Sequence, residues 1–346
     1  MSEKNIFQRL PALLLSWYRA NKRDLPWRNN PTPYEVWVSE IMLQQTRVEA
    51  VKEYYARFIK ELPNVWALAT CAEEKLLKLW EGLGYYSRVR NMQKTAKILI
   101  SEYDGVFPKT AEALTLLPGI GEYTAGAISS IAYKQRTSAV DGNVLRVIGR
   151  LTEEDTPISD TKYKKRVAQN LAEVYPQVGE ACAEFTQSLF ELGALICKPK
   201  NPVCARCPLS EICMALKNGT VQNYPVKAKK KPKRIEDVYV FIIQTPEGIC
   251  IRRREAGVLA GMNEFPSVVT LGESAEDVLY AWGITEYEVL ARKSFTHIFT
   301  HIRWNIDCLW IQTEFAPFDA YGLDEIQESI SLPTAFKQCL KILEEK

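Results

Sequence analysis

The spacing of apolar residues changes once along this 346-residue chain, and that change limits the fold more than any single motif does. Over 34–48, 50–61, 73–80, 86–101, 111–116, 122–133, 143–151, 161–174 and 180–195 apolar side chains recur every three or four residues, the period of helices with a buried face. The breaks carry turn chemistry: Asn29-Asn30-Pro31, Leu62-Pro63-Asn64, Gly82-Leu83-Gly84, Asp104-Gly105 and Thr156-Pro157. From Val238 the period becomes two, through 238–243, 249–251 and 295–313, with helical patterns at 274–282 and 333–344. The expected architecture is therefore a mostly α N-terminal region, 1–217, and an α+β C-terminal domain, 237–346. Between them, 218–236 holds Lys227, Lys229, Lys230, Lys231, Lys233 and Arg234, a basic linker. That run reads equally as a solvated tether and as a contact to a nucleic-acid backbone.

An apolar content of 47% with 25% charged residues suits a globular chain with a real core. A net charge of only +2 means that any nucleic-acid site must be a local basic face. The apolar run PALLLSWY (11–18) is too short to span a membrane and lacks a small-residue cleavage site, so a cytoplasmic protein is expected. Nine cysteines in that setting argue for thiols or metal ligands over disulfides. The two histidines, His297 and His301, lie near the C-terminus. Acid–base chemistry in the first two-thirds must then use carboxylate, lysine, tyrosine or cysteine side chains.

One stretch, Leu114–Asn143, suggests where that chemistry sits. In Leu117-Pro118-Gly119-Ile120-Gly121 two glycines flank one apolar residue, so the backbone turns sharply and exposes successive N–H groups at the start of a small-residue helix. Framed by Leu-Pro before and Tyr123-Thr124-Ala125-Gly126 after, this reads as a helix–hairpin–helix turn that grips DNA phosphate without reading sequence. Twenty residues on, Asp141 stands at the mouth of the next helix, where N–H groups and the helix dipole favour its ionised form. Glu40 is the opposite case. It lies in the apolar helical run WVSEIMLQQT, sharing a face with Leu43 and Gln44, and burial there raises a carboxyl pKa and keeps it protonated. One acid kept protonated and one kept ionised is the division of labour for cleaving a glycosidic bond. On DNA the leaving group is a base, reached by flipping it from the stack, and Trp27, Gln44, Gln45, Tyr85 and Tyr86 are candidates to wedge or stack there.

Cys197, Cys204, Cys207 and Cys213 form a C-x6-C-x2-C-x5-C run. Four thiolates so close in sequence suit one soft-metal centre. The single run is closer to iron–sulfur spacing than to paired zinc ribbons, with zinc the alternative. Lys198 and Lys200 in the first cysteine loop are placed for phosphate contact.

With these residues in hand the chain resembles the adenine DNA glycosylases of the MutY family along essentially its whole length. LPWR (25–28), SEIMLQQT (39–46), GLGYYSR (82–88), LPGIGEYTA (117–125), AVDGNV (139–144) and the four-cysteine run match in order. The resemblance implies a helical helix–hairpin–helix catalytic core with a 4Fe–4S cluster on the four cysteines, and a C-terminal domain like the MutT/Nudix fold that recognises 8-oxoguanine opposite the target adenine. Carried over by position, it makes Glu40 the acid that protonates adenine and Asp141 the carboxylate that stabilises the cationic sugar, with Asn143 assisting and Tyr123 near the sugar. Trp27, Arg28, Leu43 and Gln187 would line the base pocket. Gln44, Gln45, Tyr85, Arg88, Gly119, Gly121, Lys198 and Lys200 would contact DNA. Phe295, Thr296 and His297 would read the lesion, with threonine where the family usually has serine. Asn263 stands where a tryptophan is common. The C-terminal domain lacks the REx2EE helix of Nudix hydrolases, so nucleotide hydrolysis is not expected there.

Tyr123 occupies the position of the Schiff-base lysine in the related endonuclease III family, and a phenol forms no imine. The resemblance thus implies a monofunctional, monomeric enzyme acting on duplex DNA at the bacterial nucleoid, which removes adenine and leaves an abasic site. Two other readings compete: an endonuclease III-like glycosylase and lyase, which Tyr123 disfavours, and a non-enzymatic helix–hairpin–helix damage binder, which has no need of both Glu40 and Asp141.

Overall fold

A computed structural model describes residues 3–29, 31–177, 179–228 and 232–344. The chain divides into two compact units, Met1–Thr70 with Arg90–Lys229, and Cys71–Val89 with Lys230–Lys346. This division differs from the sequence-based boundaries at two places. Residues 71–89, expected in the helical domain, belong to the second unit. Most of the expected linker belongs to the first: Ile158 N donates to Val226 O at 3.0 Å, and Arg150 Nε donates to Val221 O and Tyr224 O. Lys229, Lys230 and Lys231 lie outside the described residues.

The first unit is helical, as its period requires. Helices α1 (Glu3–Asn21), α9 (Gly142–Thr152), α10 (Thr161–Val174) and α11 (Glu180–Leu195) bury one shared core through Ile6, Leu10, Leu14, Val147, Val167, Phe185 and Leu189. Burial of each such side chain is worth about 1.5–3 kcal/mol. Helix α2 (Pro33–Leu43) starts at a capping box, Thr32 with Glu35, and Pro33 opens its first turn. Eight of its eleven residues are buried, so an acid in its middle has little access to water. Helices α3 (Val48–Glu61), α4 (Val65–Thr70), α6 (Ser87–Tyr103), α7 (Ala111–Leu114) and α8 (Glu122–Ala127) complete the unit, with α12 (Met214–Lys217) after the cysteine run. The helix expected over 122–133 leaves α geometry after Ala127 for a π turn, Ile128–Ala132. Gly126 matters at that point: a Cβ there would strike the Ser138 carbonyl. The segment leading into Asp141 can run against α8 only because position 126 has no side chain.

In the second unit the strands β1 (Arg234–Thr245), β2 (Gly248–Arg253), β3 (Asn263–Glu264), β5 (Glu288–Ile298) and β6 (Ile302–Gln312) run in the order β3-β2-β1-β6-β5, with β4 (Ser267–Val269) on β1 and β7 (Asp319–Tyr321) on β2. β1 and β6 pair in parallel and the other pairs are antiparallel. Alternation along β1 sends Val238, Val240 and Ile242 to a face shared with Trp304, Ile326 and Phe336, and Phe241 and Ile243 to the face that holds Leu279. The sheet thus carries α13 (Ala275–Ala281) on one side, and α14 (Leu323–Glu328) with α15 (Thr334–Leu340) on the other. Residues 71–89, with α5 (Glu73–Leu79), join this unit through Lys78 Nζ on Gln327 O, Ser331 Oγ on Leu77 O, and Lys337 paired with Glu81.

Candidate active site

The first unit holds a cavity of about 920 Å³, and Glu40, Tyr123 and Asp141 all line it. Glu40, on α2, is buried and accepts a hydrogen bond from the Tyr123 hydroxyl at Oε2. Burial pushes its carboxyl up to about 7, and the nearby Asp141 adds to this, while the Tyr123 bond and Arg28 oppose it. The phenol of Tyr123 packs against Phe190, with ring centroids 5.7 Å apart. Burial and the charges of Glu40 and Asp141 hold it well above its ordinary range, so it remains a donor.

Asp141 caps α9. Its Oδ1 accepts from Val144 N at 2.8 Å and its Oδ2 from Asn143 Nδ2 at 2.6 Å. These bonds and Arg146 favour the carboxylate, yet burial outweighs them and raises its pKa above the ordinary range. The expected stabilisation of its ionised form by the helix N-terminus is present, and burial acts against it. Asn143 is itself fixed, because Arg146 Nη2 donates to its Oδ1 and to Gly193 O, both at 2.9 Å. A Cβ at Gly193 would come within 2.7 Å of Asn143 Cβ, so the approach of α11 to α9 needs glycine there.

The expected base-pocket residues Trp27, Arg28, Leu43 and Gln187 also line this cavity, and Gln44 and Gln45 join them. Trp27 meets Tyr55 edge-on at 5.3 Å. Gln45 sits at φ 61°, a left-handed conformation that is uncommon for a residue with a side chain. Arg28 donates from Nη2 to Glu191 Oε2 at 2.7 Å and from Nη1 to Arg23 O. Glu191 was missed by the sequence reading. It is fully buried, takes Arg23 on Oε1 at 2.7 Å, and is held down to about 2 by those arginine hydrogen bonds despite burial. The signal was present, since Glu191 is an acid within an apolar helical run, the pattern that singled out Glu40.

In the hairpin, Gly119 sits at φ 77° with Asn91 beneath it, and Gly121 has open space where a side chain would be. Tyr85 and Arg88 belong to the second unit. Tyr85 is left-handed at φ 47° and its hydroxyl meets Thr300 Oγ1. Arg88 Nη2 donates to Leu83 O and Gly84 O, and its guanidinium lies over Trp80. Arg88 thus holds the GLGYYSR loop together. On β5, Phe295 and His297 are half-buried on one face and Thr296 is exposed on the other. Burial lowers the pKa of His297, which meets Phe299 edge-on with ring centroids 4.7 Å apart. His301 lies beyond the end of β5 in the turn before β6, away from the strand face that carries His297. Asn263 pairs with Arg253 across β3 and β2.

Cys197, Cys204, Cys207 and Cys213 are free, half-buried and near enough that Cys207 senses the other three electrostatically. Arg150 Nη1 reaches Cys197 Sγ at 3.3 Å, and Arg146 Nε holds Cys197 O at 2.8 Å. Among the described residues, no three His, Cys, Asp or Glu side chains converge on a single-ion site. Four soft donors in one neighbourhood fit a thiolate-held cluster. Lys198 and Lys200 are exposed beside them.

Residues 38–177 match the profile of the HhH-GPD superfamily base excision DNA repair proteins, and 238–342 match the NUDIX domain. The chain is similar to the adenine DNA glycosylase of Mus musculus, at 35% identity over 88% of this chain and 70% of that protein. It is 34% identical to the adenine DNA glycosylase of Buchnera aphidicola subsp. Baizongia pistaciae, over 86% of this chain and 84% of that protein. It spans 56% of a matching Arabidopsis thaliana protein of the same name. A solved endonuclease III–DNA complex shares the fold of 63% of this chain and 98% of its own, at a TM-score of 0.54 and 24% identity.

Proposed function

The chain belongs to the adenine DNA glycosylase family, and from that membership we propose that it excises adenine mispaired with 8-oxoguanine, and with guanine, from duplex DNA. One observation carries the reading: in one cavity a carboxyl whose pKa is near 7 stands with a second, capped carboxylate. Glu40 delivers its proton to N7 of the flipped base, and Tyr123, occupying Oε2, leaves Oε1 for that proton. As the bond from the sugar C1′ to N9 breaks, its electron pair leaves with the protonated base. Asp141, held by Val144 and Asn143, stabilises the oxocarbenium-like sugar until water bonds to C1′ and passes its proton to the carboxylate left on Glu40. Tyr123 supplies no amine, so the strand stays intact.

In the second unit Thr296, on the exposed face of β5, reads the 8-oxoguanine edge, and Phe295 and His297, on the other face, back the strand that presents it. Gln45 and Tyr85 probe the opened stack, and the hairpin glycines Gly119 and Gly121, with Lys198 and Lys200, hold phosphates. Cys197, Cys204, Cys207 and Cys213 hold a 4Fe–4S cluster that, when bound, supplies a structural tie for that loop. Iron and sulfide bound to the purified protein, and lost when Cys207 is changed to Ser, would support this; zinc in their place would overturn it. The enzyme acts as a cytoplasmic monomer.

The test uses end-labelled duplexes with one adenine opposite 8-oxoguanine, guanine, cytosine or thymine, resolved with and without hot alkali. Breaks only after alkali, chiefly opposite 8-oxoguanine, are expected. Breaks without alkali would refute the monofunctional mechanism, and none at all would leave a damage-binding protein.

A further inference from the structure

We infer that Tyr18 is a specificity-determining positioning residue, whose hydroxyl fixes the side-chain amide of Gln187 so that the cavity matches a 6-aminopurine and rejects a 6-oxopurine. The inference rests on the adenine reading above. Tyr18 lies on α1, buried behind the cavity wall, and its hydroxyl donates to Gln187 Oε1 at 3.1 Å. One turn back along α11, Ala183 O accepts from Gln187 Nε2 at 3.3 Å. A carbonyl oxygen only accepts. Turning the amide over would set Oε1 against Ala183 O. It would also leave the Tyr18 proton facing an NH2 group, and Tyr18 has no second acceptor among the described residues. Burial pushes this phenol up to about 12, so the proton stays in place. The ring is held too, under the guanidinium of Arg28, which Glu191 fixes.

Gln187 lines the cavity with one lone pair left on Oε1 and one hydrogen left on Nε2. That order of acceptor and donor is complementary to adenine, whose 6-amino donor stands beside the N1 acceptor. Hypoxanthine and guanine reverse the order, with an O6 acceptor beside an N1–H donor, and would need the turned amide. A site that holds one orientation leaves its own polar groups unpaired against the wrong base, the strongest form of discrimination a small pocket offers. No charge is involved, so the selectivity is independent of the state of Glu40.

The test compares single-turnover excision of adenine and of hypoxanthine, each opposite 8-oxoguanine, by wild type, Tyr18→Phe, Gln187→Met and the double variant. Tyr18→Phe should narrow the adenine-to-hypoxanthine rate ratio about tenfold, the scale of one neutral hydrogen bond. Gln187→Met, which removes the oriented amide, should narrow it as well, and adding Tyr18→Phe should change it no further. Both bases are measured on one preparation, so any loss of folded enzyme cancels in the ratio. A Tyr18→Phe ratio equal to that of wild type would overturn the inference, as would an equal effect of Tyr18→Phe in the Gln187→Met background. A wild type that removes no adenine would overturn the adenine reading itself.

Discussion

Glu40 and Glu191 are two glutamates within apolar helical runs, both buried and both in the wall of one cavity, yet their carboxyl groups behave in opposite ways. Glu40 is raised to about 7 and Glu191 is lowered to about 2. Burial pushes both upward. What separates them is the partner set: Glu191 takes charged hydrogen bonds from Arg23 and Arg28, whereas Glu40 takes one from a neutral phenol and faces Asp141. Burial therefore sets the size of the penalty, and the partners decide whether it becomes a proton store or a fixed charge. The first outcome suits a general acid, and the second builds the frame that holds Arg28 in place.

Changing Glu40 to Gln should have the largest effect. Excision should fall about 10³-fold or more, with duplex binding retained, because the proton donor is gone. Stability should move the other way. A group whose folded pKa is raised gives its full contribution below the ordinary carboxylate range and loses it as pH climbs through 7. At about pH 8 the native protein carries a buried, disfavoured charge that costs up to about 3 kcal/mol. Urea melts of the variant should show that gain near pH 8 and lose it near pH 5. Equal stability at both would show that Glu40 is solvated, and the contrast with Glu191 would collapse.

Glu191→Gln should do the reverse. Two arginines lose a buried partner, which costs about 3 kcal/mol in urea melts. A lowered folded pKa gives stability above the ordinary carboxylate range that is lost as pH falls toward 2. The gap between wild type and variant should therefore be full at neutral pH and close in acid. A gap that held constant down to acid would mean that packing, and not charge, accounts for it.

Much of this was legible in the sequence, and what was not has a common cause. The helical period placed α2, α9, α10 and α11, and alternation placed β1 and β6, because a buried face imposes its own spacing. Glu40 and Asp141 stood out from local signals, an acid in an apolar run and a cap before a helix, whereas the role of Tyr123 came only with the resemblance to the glycosylase family. The partners of Glu191 did not, since Arg23 and Arg28 lie 168 and 163 residues away. Residues 71–89 joined the second unit for the same reason, through bonds such as Lys78 to Gln327 that span 249 residues. The raised pKa of Asp141 also depends on what packs around it, while its cap was visible at once. Period reports that a side chain is buried and is silent on the charge it meets there.

The smallest expected effect tests whether the two glutamates are electrically linked through Arg28. That guanidinium is bonded to Glu191, and its charge lowers the pKa of Glu40. Replacing Arg28 with Met keeps the length of the side chain and removes the charge. The pKa of Glu40 should then rise, so the alkaline limb of the single-turnover rate should shift to higher pH. Loss of a pocket contact would lower the rate at every pH, and only the electrostatic link moves the limb. In Glu191→Gln the freed Arg28 no longer has its own countercharge, so its field on Glu40 strengthens and the limb should shift to lower pH. Opposite shifts from the two variants would establish Glu191 as the group that sets how strongly Arg28 acts on the acid. Shifts of the same sign would reduce Glu191 to a packing role and leave Glu40 to be tuned by burial and Asp141 alone.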